Sequence, residues 1–435
     1  MKEGINKKIL HLAGPSILAN ITVPLVGIVD TAIAGRLGDA AMIGGMAIGT
    51  MLFDLLYWNF GFLRVGTAGL TAQAYGRRDL RDAVRTLEQA LSTAIVSALA
   101  ILILQHIFVS AALVVVNAPD KVSELARDYF LVRVWAAPAT LSLFAFKGWF
   151  LGMQNAKTPM VADITVNVLN LVYCYTLTFS LNMGFRGIAL GTVLAQYSGL
   201  IVTSALFFIN YRRLFKYFNI KESIQFDRLR VFFKSGGDLI IRSISFLLIY
   251  SGFTVFSAQY GDTLLAVSTI VMKLMLLYSY FIDGFAYAGE ALTGKYIGAR
   301  DRFALKGTIR LLLIWSLGIG IISTFVYFAG GGLLFRIMTN NADVLSSAPQ
   351  FIPWLILMPL VSCIAFIWDG IYIGATATSS LRNTMVLSAI SFFIVYFALK
   401  PFYGIHALMA GYFAHLIVRT ILMSVNSKKQ ILKFI

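Results

Sequence analysis

Apolar stretches of about 20 residues recur along the whole chain, and no other feature limits its fold so tightly. A helix rising 1.5 Å per residue needs that length to cross a ~30 Å hydrocarbon core. The stretches read as spans near 9–35, 43–75, 86–117, 125–153, 160–182 and 186–211. After a polar interval they continue near 236–260, 264–297, 306–337, 346–375, 382–399 and 402–425. They leave no room for a soluble domain of even ~50 residues. Charged residues are 13% of the chain, against roughly 25% in soluble proteins. In lipid every backbone polar group must be satisfied internally, which helices achieve. The expected fold is all-α, with about twelve transmembrane helices.

The net charge of +16 would suggest nucleic acid in a soluble protein. Here the basic residues fall mainly in alternate loops: Arg77, Arg78, Arg81 and Arg85; Arg212, Arg213 and Lys216; Lys295, Arg300, Arg302 and Lys306; Lys428, Lys429 and Lys433. Such alternation follows the positive-inside rule. It implies an even number of spans, both termini cytoplasmic, and no nucleic-acid partner. Pro15 falls early in the first apolar run and no cleavage-site pattern follows, so that run reads as a retained helix. The two cysteines, Cys174 and Cys363, lie in apolar spans and suggest neither a disulfide framework nor a metal site.

The longest polar interval, 212–235, falls at the midpoint and divides the chain into an N-lobe, 1–211, and a C-lobe, 236–435. Internal similarity supports the division. Leu70-Thr71 with Gly76–Asp79 matches Leu292-Thr293 with Gly298–Asp301, and Gly148-Trp-Phe-Leu-Gly152 matches Gly370-Ile-Tyr-Ile-Gly374, both at an offset of 222. Two pseudo-symmetric six-helix lobes in parallel orientation follow. Paired glycines such as Gly187/Gly191 let helices approach closely.

Polar groups inside the spans are the candidates for function. Pro24 removes a backbone donor about one and a half turns before Asp30, giving an ionisable group on a bendable helix. An ionised Asp in hydrocarbon costs several kcal/mol, so it marks either a transport cavity or a buried structural contact. Asp54, Tyr57, Asn167, Cys174, Asp283 and Asp369 offer further cavity-lining groups, with buried ion pairs such as Lys273 with Asp369 as the structural alternative. Gly289-Glu-Ala-Leu-Thr-Gly294-Lys295-Tyr296 approximates a phosphate-binding loop. Tyr296 replaces the hydroxyl that would hold magnesium, and no strand precedes it. No enzyme activity, cofactor or metal is expected.

Four segments carry a family resemblance: Asn20–Thr31, Phe62–Gln73, Asp283–Glu290 and Asp369–Gly374. With them the chain resembles a multidrug and toxic compound extrusion (MATE) transporter, of the DinF-like branch. The resemblance implies an alternating-access antiporter exporting amphipathic, mostly cationic drugs or toxic organic cations in exchange for protons or sodium. It implies an N-lobe cation site at Asp30, with Asn170 and Thr192 matching the family's fifth- and sixth-helix ligands. Cys174 stands where related proteins carry a second carboxylate, which favours H+ over Na+. Asp369 matches a tenth-helix Asp of the NorM-like branch, whose seventh-helix Glu is absent here. The expected setting is the inner membrane, as a monomer among membrane lipids. The alternative is a flippase for a lipid-linked precursor, with Arg64, Lys147, Arg242 and Lys273 supplying cationic lining.

Overall fold

A computed structural model describes residues 2–223 and 226–431. Lys433 lies outside them. Among the described residues there is no strand, and twelve helices are long and apolar enough to cross a membrane. They are α1 Gly4–Arg36, α2 Ala41–Arg77, α3 Leu80–Val116, α4 Asp120–Gly152, α5 Lys157–Ser180 and α6 Phe185–Tyr217. The second six are α7 Phe232–Ala258, α8 Asp262–Gly298, α9 Arg302–Met338, α10 Ile352–Gly374, α11 Thr378–Tyr403 and α12 Ile405–Gln430. The segment resembling a phosphate-binding loop is uninterrupted helix within α8.

The duplication is written into the packing as well as the sequence. A Cβ at Gly148 would run into the carbonyl oxygen of Arg64, and one at Gly370 into that of Ala286. Each pair of equivalent residues is 222 positions apart, so α4 meets α2 as α10 meets α8. Asp79 caps α3 by accepting the Asp82 amide at 3.0 Å, and Asp301 caps α9 by accepting the Ala304 amide at 2.9 Å. Such caps satisfy amides that a helix start leaves unpaired.

Contacts divide the chain into two compact units, residues 18–233 and residues 1–17 with 234–435. The start of α1 therefore clusters with the second half of the sequence, whereas sequence reading gave it to the N-lobe. The reasons are specific. Gly284 of α8 has no side chain to hold off α1, the Asn6 side-chain oxygen accepts from the Trp315 indole at 3.1 Å, and the Lys8 ammonium donates to the Tyr296 hydroxyl at 3.3 Å.

In the other unit, residues 219–223 are clamped to α3. The Asn219 amide donates to one Glu88 oxygen at 2.7 Å, the Ser223 hydroxyl donates to the other at 2.5 Å, and Arg85 pairs with Glu222 at 2.8 Å. This part of the polar interval is thus a folded piece of the first unit.

Candidate functional site

Asp30, Asn170, Cys174 and Thr192 come together inside the first unit. Gly191 makes this possible: a Cβ there would sit 2.6 Å from the Cys174 amide nitrogen, so α6 can press directly on α5. One residue on, Thr192 accepts from the Asn170 side-chain amide at 3.0 Å and donates to the Ile188 carbonyl at 3.2 Å. The Cys174 thiol donates to the same carbonyl at 3.3 Å. The Cys174 thiol and the Arg133 guanidinium both act electrostatically on the Asp30 carboxylate.

Two acceptors in this cluster are left over. Asp30 is 8% exposed and Asn170 2%, and the Oδ1 atom of each is buried without a hydrogen-bond partner among the described residues. Leaving a buried polar group unpaired costs about 1–3 kcal/mol, more if it is charged. A cluster that carries this cost twice is suited to receive a cation or a proton.

Arg133, on α4, was not singled out by sequence reading. It donates to the Tyr129 hydroxyl at 2.9 Å and to the Thr50 hydroxyl at 3.4 Å, and lies 4.8 Å above the Phe53 ring. Asp30, Asp54 and Tyr57 all act electrostatically on it. Asp54 is on an exposed face of α2 and Tyr57 is half-buried beside Phe53. The Asn167 side-chain amide donates to the Thr22 hydroxyl at 2.5 Å, tying α5 to α1 two residues before Pro24. Through Pro24 itself α1 is continuous helix.

In the second unit the buried carboxylates of Asp369 and Asp238 are fully engaged. Asp369 accepts from Arg242 at 2.5 Å, and Arg419 grips both of its oxygens. The partner considered for it from sequence, Lys273, is instead exposed. Asp238 is likewise saturated by Thr378 at 3.0 Å, Ser379 at 2.7 Å and Arg382 at 2.6 Å. Asp283 is half-buried on α8. Lys147 pairs with Asp163 in the first unit. Of the four cations expected to line a flippase, Lys147 and Arg242 are therefore spent on carboxylates, and Lys273 lies on an exposed face.

Twelve spans in two repeated units, each unit with carboxylates buried among its helices, define a polytopic membrane protein assembled by duplication. The MatE family matches it twice, over residues 15–176 and again over 239–402. The DNA damage-inducible protein F of Escherichia coli K12 is 34% identical over 407 residues, covering 93% of this chain and 88% of that protein. A probable multidrug resistance protein NorM of Photorhabdus laumondii is 23% identical over 386 residues, covering 86% and 83%. The crystal structure of the Vibrio cholerae MATE transporter VcmN in its bent form superposes with a TM-score of 0.85 at 16% identity, covering 100% of this chain and 98% of that one. The chain belongs to the MatE family of multidrug efflux transporters, which are transporters rather than enzymes.

Proposed function

We propose that this protein is a proton-coupled antiporter that exports amphipathic, mostly cationic compounds by alternating access, with Asp30 as the coupling carboxylate. The observation that carries the reading is the pair of unpartnered buried oxygens, on Asp30 and Asn170, beside a thiol. A proton needs one basic oxygen. A hard cation such as sodium favours several oxygen ligands, and the soft sulfur of Cys174 is a poor one. One carboxylate with Cys174 beside it therefore suits a proton better than sodium.

In this mechanism deprotonated Asp30 supplies the negative charge that attracts a cationic substrate, with Arg133 limiting the cost of that charge. A proton arriving from outside neutralises Asp30 and removes the penalty of an anion in a low-dielectric site. Substrate then loses its counter-charge and leaves outward. Pro24, six residues and about 9 Å along α1 from Asp30, is the point at which the helix bends between states. Coupling requires only that proton and substrate favour opposite states, typically by 1–3 kcal/mol. Both termini face the cytoplasm of the inner membrane in this reading, and the transporter works as a monomer.

Proteoliposomes loaded with a fluorescent cationic dye test it. An imposed pH gradient should drive dye movement in the wild type and not in Asp30→Asn, and added sodium at fixed pH should change neither. Sodium-driven movement without a proton gradient would overturn the ion assignment, and full-rate proton-driven movement in Asp30→Asn would overturn the residue assignment.

A further inference from the structure

A cavity of about 470 Å³ opens on the second unit between α9, α10 and the end of α12, within the ~300–1,000 Å³ usual for small-molecule sites. Lys306, Arg310, Leu313 and Leu317 lie along its α9 wall at the three- and four-residue spacing of one helical face. The opposite wall includes the Trp368 indole, fixed by its hydrogen bond to the Ser424 hydroxyl at 2.9 Å.

The cavity is cationic at one end only. Neither Lys306 nor Arg310 forms an ion pair or hydrogen bond among the described residues, whereas Arg242, Arg382 and Arg419 of the same unit are all paired. Below them the lining is apolar. From Lys306 to Leu317 the helix advances about 16 Å, roughly half of a ~30 Å hydrocarbon core and hence one leaflet. With 37 residues, α9 spans about 55 Å, so its first turns stand in the headgroup region. Ile314 and Leu317 are 54% and 41% exposed, so on a membrane-spanning helix the trough is open sideways to lipid.

We propose that this groove binds one anionic phospholipid, its phosphate held by Lys306 and Arg310 and an acyl chain lying along Leu313, Leu317 and Trp368. Basic pockets between spanning helices select anionic headgroups in this way. A zwitterionic lipid brings its own ammonium towards the two cations, and a soluble anion makes no use of the apolar trough.

Native mass spectrometry of the purified full-length protein, titrated with phosphatidylglycerol or phosphatidylcholine, reads the site directly. One phosphatidylglycerol should bind in preference to phosphatidylcholine. Each cation near a membrane surface contributes about fivefold to anionic-lipid affinity, so Lys306→Gln with Arg310→Gln should weaken phosphatidylglycerol binding about 30-fold. Leu313→Trp keeps both charges but fills the trough, and it should also displace the lipid. On the wild type, glycerol 3-phosphate should fail to compete, which tests the proposal even where a variant does not fold. Equal binding of the two lipids, wild-type affinity in the double variant, or displacement by glycerol 3-phosphate would each overturn it.

Discussion

Asp30 of the first unit and Asp369 of the second are buried in opposite ways. In the second, Asp369 sits between two guanidiniums and its charge is neutralised at contact distance. In the first, Asp30 has one oxygen without a partner, a thiol nearby and an arginine acting from a distance. The repeat makes the contrast sharper. The position equivalent to Asp369 in the first unit is Lys147, one residue before the glycine that brings α4 onto α2, and Lys147 is itself paired with Asp163. Duplication thus preserved the helix packing while the charge at this position changed sign. A carboxylate clamped by two arginines is a poor proton carrier, because protonation would leave the buried Arg419 and the half-buried Arg242 without a counter-charge. An unclamped one loses little by accepting a proton.

The largest expected effect of breaking this contrast is in the clamped site. Arg419→Ala removes one partner of a buried ion pair, which typically costs 3–5 kcal/mol. It should lower the thermal unfolding temperature steeply in detergent, and an unchanged transition would show that Asp369 does not depend on the clamp. Asp30→Asn should do the reverse, keeping the unfolding temperature within a few degrees while removing the 5–150-fold coupling between proton and substrate. Equilibrium dye binding at two pH values measures that coupling. Removing the through-space cation with Arg133→Gln leaves Asp30 and Asp54 uncompensated, so the apparent affinity for a cationic dye should rise about fivefold, the effect of ~1 kcal/mol. A fall in affinity would mean that Arg133 orders the cavity and does not oppose the substrate. Thr192→Val deletes the acceptor for the Asn170 amide, worth about 1 kcal/mol, and should change transport only a few-fold. Cys174→Asp supplies a second carboxylate, and a modest stimulation by sodium, absent in the wild type, is the expected gain.

Much of this was legible in the sequence because lipid leaves so few options. Apolar length gives the spans, and the repeat at 222 residues gives the duplication. Asp30 stands out because an ionisable group in an apolar run is costly, and Asn170, Cys174 and Thr192 followed from family resemblance. Arg133 was hidden by its setting. It follows Glu124, Arg127 and Asp128 at the start of a span, and so passes for the polar entrance of a helix. The signal that could have found it is its i, i+4 spacing from Tyr129, on the face that Gly45 and Gly49 of α2 approach. Arg419 was masked in the same way by the basic end of α12. Its pairing with Asp369 is a contact between helices 50 residues apart in sequence, which periodicity does not encode. The split of α1 at residue 17 also depends on tertiary contacts, at Gly284, Tyr296 and Trp315, that no local pattern specifies.

Proton release on substrate binding tests the central claim most directly. Weakly buffered, detergent-solubilised protein is mixed with a cationic substrate, and a pH indicator follows the solution. Wild-type protein should release a proton as substrate binds, Asp30→Asn should release none, and Asp369→Asn, provided it folds, should release as much as the wild type. Undiminished release from Asp30→Asn, or loss of release from a folded Asp369→Asn, would contradict the assignment of coupling to the unclamped carboxylate.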